Sequence, residues 1–254
     1  MSRTYAVGVQ SVVFAERSLS ELLGELDETG IEHLELWGQH LDHADDEATI
    51  AAAEDAIDAH GIDVCGHGVV NLEDTGEARP HFELADRLGA DYVTVNYPPD
   101  RHDITEELID LGERFGLDVG IHNYSSVHHD DLSQVFSSID DVRTVLDHYD
   151  HPRLGMCMDT GHFLVEDVAP EDVIRELGDR INSVHLKDTS EAEVEDIPGA
   201  GQLDVAHIVA LLDEHAAVDA PLVIEYELPD ERATAALVEA EQTVRDSIAA
   251  SGGE

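Results

Sequence analysis

INSVHLKD, residues 181–188, is an apolar run that ends in chemistry. Val184 and Leu186 read as part of a buried strand, and His185, Lys187 and Asp188 crowd its C-terminal end. Lys187 is the only lysine of the chain; the other twelve basic residues are arginines. A chance survivor capping a strand end would account for one such residue. It does not account for three further runs that finish the same way: His122 in VGIHNY, Asp159 in GMCMDTGH and Glu225 in LVIEYE. Each is a polar, metal-competent side chain at the end of a strand-like segment. In a barrel of parallel strands those ends converge on one mouth.

Working outward, strand-like and helix-like segments alternate along the chain. Strands are expected at 5–10, 33–37, 63–67, 92–97, 118–122, 154–159, 181–187 and 222–227. A capping box, Ser18 with Glu21, opens a first helix that stops near Gly30. The second runs over 47–60 to Gly61, and the third over 80–88, opened by Pro80 and closed by Gly89. Further helices are expected from Asp103 to Gly116, over 139–148, from Pro170, from Asp204 and over 232–250. After Asp204, Val205, Ile208, Val209 and Leu212 share one face at helical spacing. Eight strands and eight helices predict an α/β fold, a closed (β/α)8 TIM barrel. With no Pro- or Ser-rich linker, residues 1–254 are expected to form a single domain. A doubly wound open sheet is the other solution, but the first turn lacks its glycine fingerprint. Two connections, 124–138 and 188–202, are long enough to be lids or binding loops over the mouth.

The formal net charge is −45, from 58 acidic and 13 basic residues spread over every expected helix. Such a chain repels itself in dilute buffer, and molar salt shortens the Debye length to ~3 Å. This composition points to a salt-rich cytoplasm. It argues against nucleic acid as a partner, since Lys and Arg supply most of that affinity. Cys65 and Cys157 lie in apolar runs and give no disulfide framework, so reduced buried thiols are expected. The N-terminal MSRTYAVGVQSVVF lacks a signal-peptide layout, and no stretch reaches membrane-spanning length. A homo-oligomer is compatible with all of this.

Zinc and manganese accept imidazole nitrogen and carboxylate oxygen, and a catalytic site keeps one position open. His122, Asp159, His185 and Glu225 offer two of each from strands five to eight. Neighbouring strands lie ~4.8 Å apart, so four adjacent strand ends can reach one ion. Among sixteen histidines any single one is weak evidence, and a strand-end Asp often only caps the next helix. Four in register on consecutive strands reverse that judgement. One divalent ion per chain, Mn2+ or Zn2+, is therefore expected. His67 in CGHGVV, Trp37 and Glu35 at the second strand end, Asn123, and His128 in the first long loop are candidate substrate contacts.

MDTGH, HLKD, PGAGQLD and VIEYE resemble motifs of the sugar phosphate isomerase/epimerase family, the xylose-isomerase-like TIM barrels. The resemblance is clearest over 118–227. It implies that Asp159, His185 and Glu225 bind a divalent metal and that His162 contacts substrate oxygens. Epimerases of the family place a Glu, often Glu-Asn, at the end of strand five; this chain has His122-Asn123. A histidine still binds metal, but the paired-glutamate mechanism loses one partner. The function implied is a metal-dependent isomerase or epimerase of a small sugar, keto-sugar or polyol. Glu225 would take the proton alpha to the carbonyl, with Lys187 and His162 donating to substrate oxygens. One-base isomerisation on a single face comes first. A lyase, dehydrating a keto-polyol or eliminating from a keto-glycoside, comes second, and two-base epimerisation third. Abasic-site DNA endonucleases use the same barrel, but they want a basic groove and more metal ligands. A non-catalytic binding protein is the last option, and an intact four-ligand set argues against it.

Overall fold

Eight strands pair in chain order, each parallel to its neighbours, and the last pairs with the first to close a barrel. They are β1 (Val7–Gln10), β2 (His33–Leu36), β3 (Asp63–Asn71), β4 (Tyr92–Asn96), β5 (Asp118–His122), β6 (Leu154–Asp159), β7 (Ile181–Leu186) and β8 (Leu222–Ile224). The computed structural model describes residues 4–216 and 218–251, so the extreme ends of the expected 1–254 domain lie outside the described residues. Strands of an α/β barrel are covered on both faces, which is why they read as near-continuous apolar runs. Every residue of β4 and β6 is buried.

The helices are α1 (Leu19–Leu26), α2 (Glu47–His60), α3 (Thr75–Leu88), α4 (His102–Phe115), α5 (Ile139–Tyr149), α6 (Thr160–Val165), α7 (Pro170–Leu177), α8 (Val205–His215) and α9 (Asp230–Ser251). The Ser18–Glu21 capping box opens α1 as expected, and Gly61 in the left-handed region closes α2. Among the described residues no helix is long and apolar enough to cross a membrane.

Three departures from the sequence expectation matter. The third helix starts at Thr75, not at Pro80, because the Glu77 carboxylate accepts the backbone N–H groups of Glu73 (2.8 Å) and Asp74 (3.1 Å) and opens the first turn there. Pro80 is carried inside the helix. The third strand does not stop at His67 but runs on to Asn71 across a register shift between His67 and Val70. Gly68 permits this: its φ is +153°, and an added Cβ would lie 2.0 Å from Thr94 Oγ1. Finally α6, an additional short helix, follows β6 without a loop. Asp159 is both the last residue of the strand and the cap of that helix.

Register then decides what meets at the mouth. Asp159 pairs directly with His185, and His122 with Cys157, two residues below Asp159 on the same face. Leu186 pairs with Ile224, and the Glu225 N–H donates to the Leu186 carbonyl at 3.1 Å. The chemistry-bearing ends of β5 to β8 are thereby brought to one side of the opening.

Candidate metal centre

His122, Asp159, His185 and Glu225 are buried, and one donor atom from each lies within 4.8 Å of the others. That separation is close to the span of two metal–ligand bonds of about 2.0–2.2 Å. Hydrogen bonding supplies the independent check. His122 Nδ1 and Nε2, Asp159 Oδ2, His185 Nδ1 and Glu225 Oε2 have no hydrogen-bond partner although they are shielded from solvent. Buried polar atoms ordinarily find partners, so orphans from four residues aimed at one point ask for a shared one. His122 Nε2 is 3.7 Å from Asp159 Oδ2, and His185 Nδ1 is 2.6 Å from Glu225 Oε2. The donor set of two imidazoles and two carboxylates fits a divalent cation.

The elements beneath aim these atoms. Asp159 Oδ1 accepts the His162 N–H at 2.8 Å as the cap of α6, which leaves Oδ2 turned to the cluster. The Asn123 side chain clamps the Asp159 backbone, accepting its N–H at 2.8 Å and donating to its carbonyl at 3.0 Å. His185 Nε2 donates to Glu35 Oε2 at 2.8 Å, which sets the tautomer with a lone pair on Nδ1. Glu35 in turn accepts from Tyr92 Oη at 2.9 Å and Thr94 Oγ1 at 2.7 Å.

Burial opposes charge throughout this region, and specific partners decide where it survives. It holds His122 below its ordinary pKa, keeping the ring neutral, as a ligand must be. It works against the Asp159 carboxylate, but Lys187, His162 and His122 together outweigh it and the group sits well below the usual range. At His185 it is overcome by Cys157, Glu35 and Glu225, which raise the ring well above its ordinary value. Without a metal the site takes up a proton there; with one, that proton must leave.

Lys187 is 1 % exposed, and its Nζ is 2.6 Å from Glu225 Oε1, 3.1 Å from Glu195 Oε1 and 3.4 Å from Asp159 Oδ2. Desolvation pulls its pKa down, yet Asp159, Glu225 and Glu195 more than compensate, so it stays an ammonium. Gly161 makes the room, since an added Cβ would lie 2.6 Å from Lys187 Cγ. His162 points Nε2 at this ammonium (3.5 Å) and Nδ1 at Ser125 Oγ (2.9 Å). Burial and then the Lys187 charge push its pKa down to about 3, so the ring is neutral.

A cavity of about 290 Å³ adjoins the cluster at Glu225, the member of the four that lines it. Of the expected substrate contacts, Trp37 and His128 line it, as do His162 and Glu225. Glu35, His67 and Asn123 do not. Glu35 sits below the cluster with its oxygens taken by Tyr92, Thr94 and His185. His67 spends Nδ1 on the Leu36 carbonyl and Nε2 on His81, each at 3.0 Å, and Asn123 is spent on Asp159. Lining residues not expected from the sequence include Gln10, Asn71, Tyr124, His129 and Glu227. Glu227 had a readable signal, since it follows Glu225 at the two-residue spacing that repeats a face in extended chain. Glu195 had none. It arrives from the second long loop to meet Lys187 and, at 2.9 Å, His128 from the first.

The solved structures agree with this architecture at low sequence identity. A D-psicose 3-epimerase from Clostridium cellulolyticum, solved with D-tagatose, superposes with a TM-score of 0.74 at 14% identity, over 94% of this chain and 99% of that one. For 3-keto-D-glucoside 4-epimerase from E. coli, the score is 0.68 at 18% identity, over 98% and 99%. A probable 3-DHS dehydratase from Bacillus anthracis, involved in petrobactin synthesis, gives 0.71 at 16% identity, over 94% and 98%. At these identities the likeness is one of fold. No curated protein sequence matches the chain. The family model described as xylose isomerase-like TIM barrel matches residues 23–250, from α1 into α9. A match running through seven of the eight strands and both long loops leaves little of the chain unaccounted for, and the protein belongs to the xylose isomerase-like TIM barrel family.

Proposed function

We propose that the protein is a divalent-metal-dependent isomerase or epimerase of a small, uncharged carbohydrate, acting by proton abstraction alpha to a carbonyl. The observation that carries this reading is the set of orphaned donor atoms on His122, Asp159, His185 and Glu225, joined through Glu225 to a cavity large enough for a small molecule. When bound, a divalent ion supplies Lewis acidity toward a carbonyl oxygen and an anchor for a neighbouring hydroxyl. Glu225 is the base for the adjacent C–H. Lys187 at 2.6 Å keeps it ionised and at the same time weakens it as a base, so the rate depends on stabilising the enediolate more than on base strength. His162 lines the cavity, with the Lys187 ammonium 3.5 Å from its Nε2, so Lys187 reaches substrate oxygens through that ring, which can relay a proton. Trp37 gives the cavity an apolar wall against which a ring or chain can lie.

Charge narrows the substrate. Glu225 and Glu227 line the cavity, and among the described residues neither arginine nor lysine lines it. The single lysine nearby is already shared by three carboxylates. Apart from the metal ion and His128, a phosphate or carboxylate on the substrate would meet the carboxylates of Glu225 and Glu227, so a free sugar, keto-sugar or polyol fits better than a sugar phosphate.

His122 stands where a second glutamate would serve the opposite face, and its imidazole belongs to the ligand set. This favours one-base isomerisation on a single face over two-base epimerisation. A lyase is the second reading. It is favoured by the pair His128 and Glu227 at the cavity, 3.6 Å apart, which could provide the proton for a departing oxygen. Candidate keto-sugars turned over in deuterated water separate the three. Deuterium beside the carbonyl, with skeleton and oxygens retained, supports isomerisation. Loss of water or of an aglycone identifies a lyase, and clean inversion at one carbon an epimerase. A phosphorylated substrate turned over faster than its free counterpart would overturn the uncharged-substrate assignment.

A further inference from the structure

The metal-competent groups do not end with the four ligands. A second set, His128, His162 and Glu195, also has one donor atom from each within 4.8 Å of the others. The Lys187 ammonium stands beside it, 3.1 Å from Glu195 Oε1 and 3.5 Å from His162 Nε2. It is also 2.6 Å from Glu225 Oε1 and 3.4 Å from Asp159 Oδ2. Four electron-pair donors from three segments, the β6–α6 junction, the second long loop and the end of β8, thus surround one buried cation.

Two features make this more than an ion pair. Glu225 gives Oε2 to the first set and Oε1 to the ammonium, the way a carboxylate bridges two cations. In two-metal sites the ions so bridged stand about 3.5–4 Å apart. His162, with Nδ1 tied to Ser125 Oγ, turns its Nε2 toward the cation and is 1 % exposed. The Lys187 ammonium can only donate, so Nε2 carries the lone pair and Nδ1–H donates to Ser125 Oγ, which also accepts the Val127 N–H at 3.3 Å.

We propose that Lys187 fills a second cation site, a built-in ammonium standing where His128, His162, Glu195 and the outer oxygen of Glu225 would otherwise hold a second divalent ion, and so limits the centre to one metal. The inference rests on the metal reading of the first set. Its physical content is substitution of one cation for another. An ammonium neutralises one unit of carboxylate charge and donates hydrogen bonds, but offers no open coordination position. Remove it, and Asp159, Glu225 and Glu195 are left facing one another around a gap, an arrangement that favours entry of a metal ion.

Lys187→Met tests this, because methionine retains an unbranched stem to pack over Gly161 and lacks the charge. Metal-depleted wild type and variant are titrated with Mn2+, bound ions are counted by equilibrium dialysis, and spin coupling is read by electron paramagnetic resonance. Wild type is expected to stop at one uncoupled ion per chain even in large excess of Mn2+. Lys187→Met is expected to bind two, with a coupled spectrum, and adding His162→Ala is expected to return the count to one. A folded Lys187→Met that binds one ion overturns the proposal. So does a wild type that binds two with Lys187 intact, a result independent of how the variant folds. A wild type that binds none fails instead at the first set, and the metal reading falls with it.

Discussion

Glu35 shows how much of this site depends on a residue that never faces the cavity. Its carboxylate accepts from His185 Nε2 and is held by Tyr92 and Thr94. Glu35→Gln replaces one acceptor oxygen with a donor, so the ring loses the partner that keeps its lone pair on Nδ1. Changes to such supporting partners typically cost 10–100-fold in metal affinity, and a weakening of about that size is expected by titration calorimetry with Mn2+. Unchanged affinity would show that another contact sets the tautomer. Asp159→Asn and His185→Ala remove donors outright, and both are expected to abolish metal binding while the melting curve stays cooperative; full occupancy in either would sink the ligand assignment. The sequence brought the four clustered donors into view because each ends an apolar run. It misjudged the surroundings of Glu35 and Asn123 because alternation tells inside from outside but not depth. Glu35 is two residues before Trp37 and therefore one layer lower in the barrel.

The second long connection, 188–202, reads as polar and shapeless in sequence, yet it is organised around one buried carboxylate. Asp188 accepts the backbone N–H groups of Thr189, Gln202 and Leu203 on Oδ1, and those of Gly199 and Gly201 on Oδ2, at 2.7–3.1 Å. The glycines of PGAGQ serve this turn, since a Cβ on Gly201 would lie 1.9 Å from the Thr189 carbonyl oxygen. Folding the loop back on Asp188 delivers Glu195 to Lys187 and His128. No periodicity carries such an arrangement, so Glu195 could not be read in advance; the strands and helices could, because strands show as short apolar runs and helices as apolar faces at 3.6-residue spacing. The short helix α6 escaped for a related reason, as six residues are too few to show a period. Asp188→Ala leaves five backbone donors without their acceptor. A loss of about 3 kcal/mol in urea unfolding is expected, together with weaker turnover as Glu195 shifts. A variant as stable as wild type would show that water replaces the carboxylate at no cost.

For the molecule as a whole the deciding quantity is charge. Some of the few arginines tie segments together: Arg87 on α3 reaches Glu47 and Glu54 on α2 at 2.8 and 2.7 Å, and Arg153 reaches Asp118 at 2.9 Å. Exposed pairs of this kind contribute about 0–1 kcal/mol each. Against them stands a net charge of −45, whose repulsion acts over longer distances. Salt weakens both, but unequally. The Debye length falls from ~10 Å at 0.1 M to ~3 Å at 1 M, which removes repulsion between carboxylates several ångströms apart more completely than attraction between groups in contact. Added salt is therefore expected to stabilise the fold. If screening relieves about 3 kcal/mol, the melting temperature of a chain this size rises by roughly 6–12 °C between 0.1 M and 2 M KCl. Chloride is the anion to use, because sulfate strengthens apolar burial by a separate route and would confound the reading. A melting temperature that stays flat or falls over that range would show that the contact pairs, not the net charge, govern stability, and would remove the case for adaptation to a salt-rich cytoplasm.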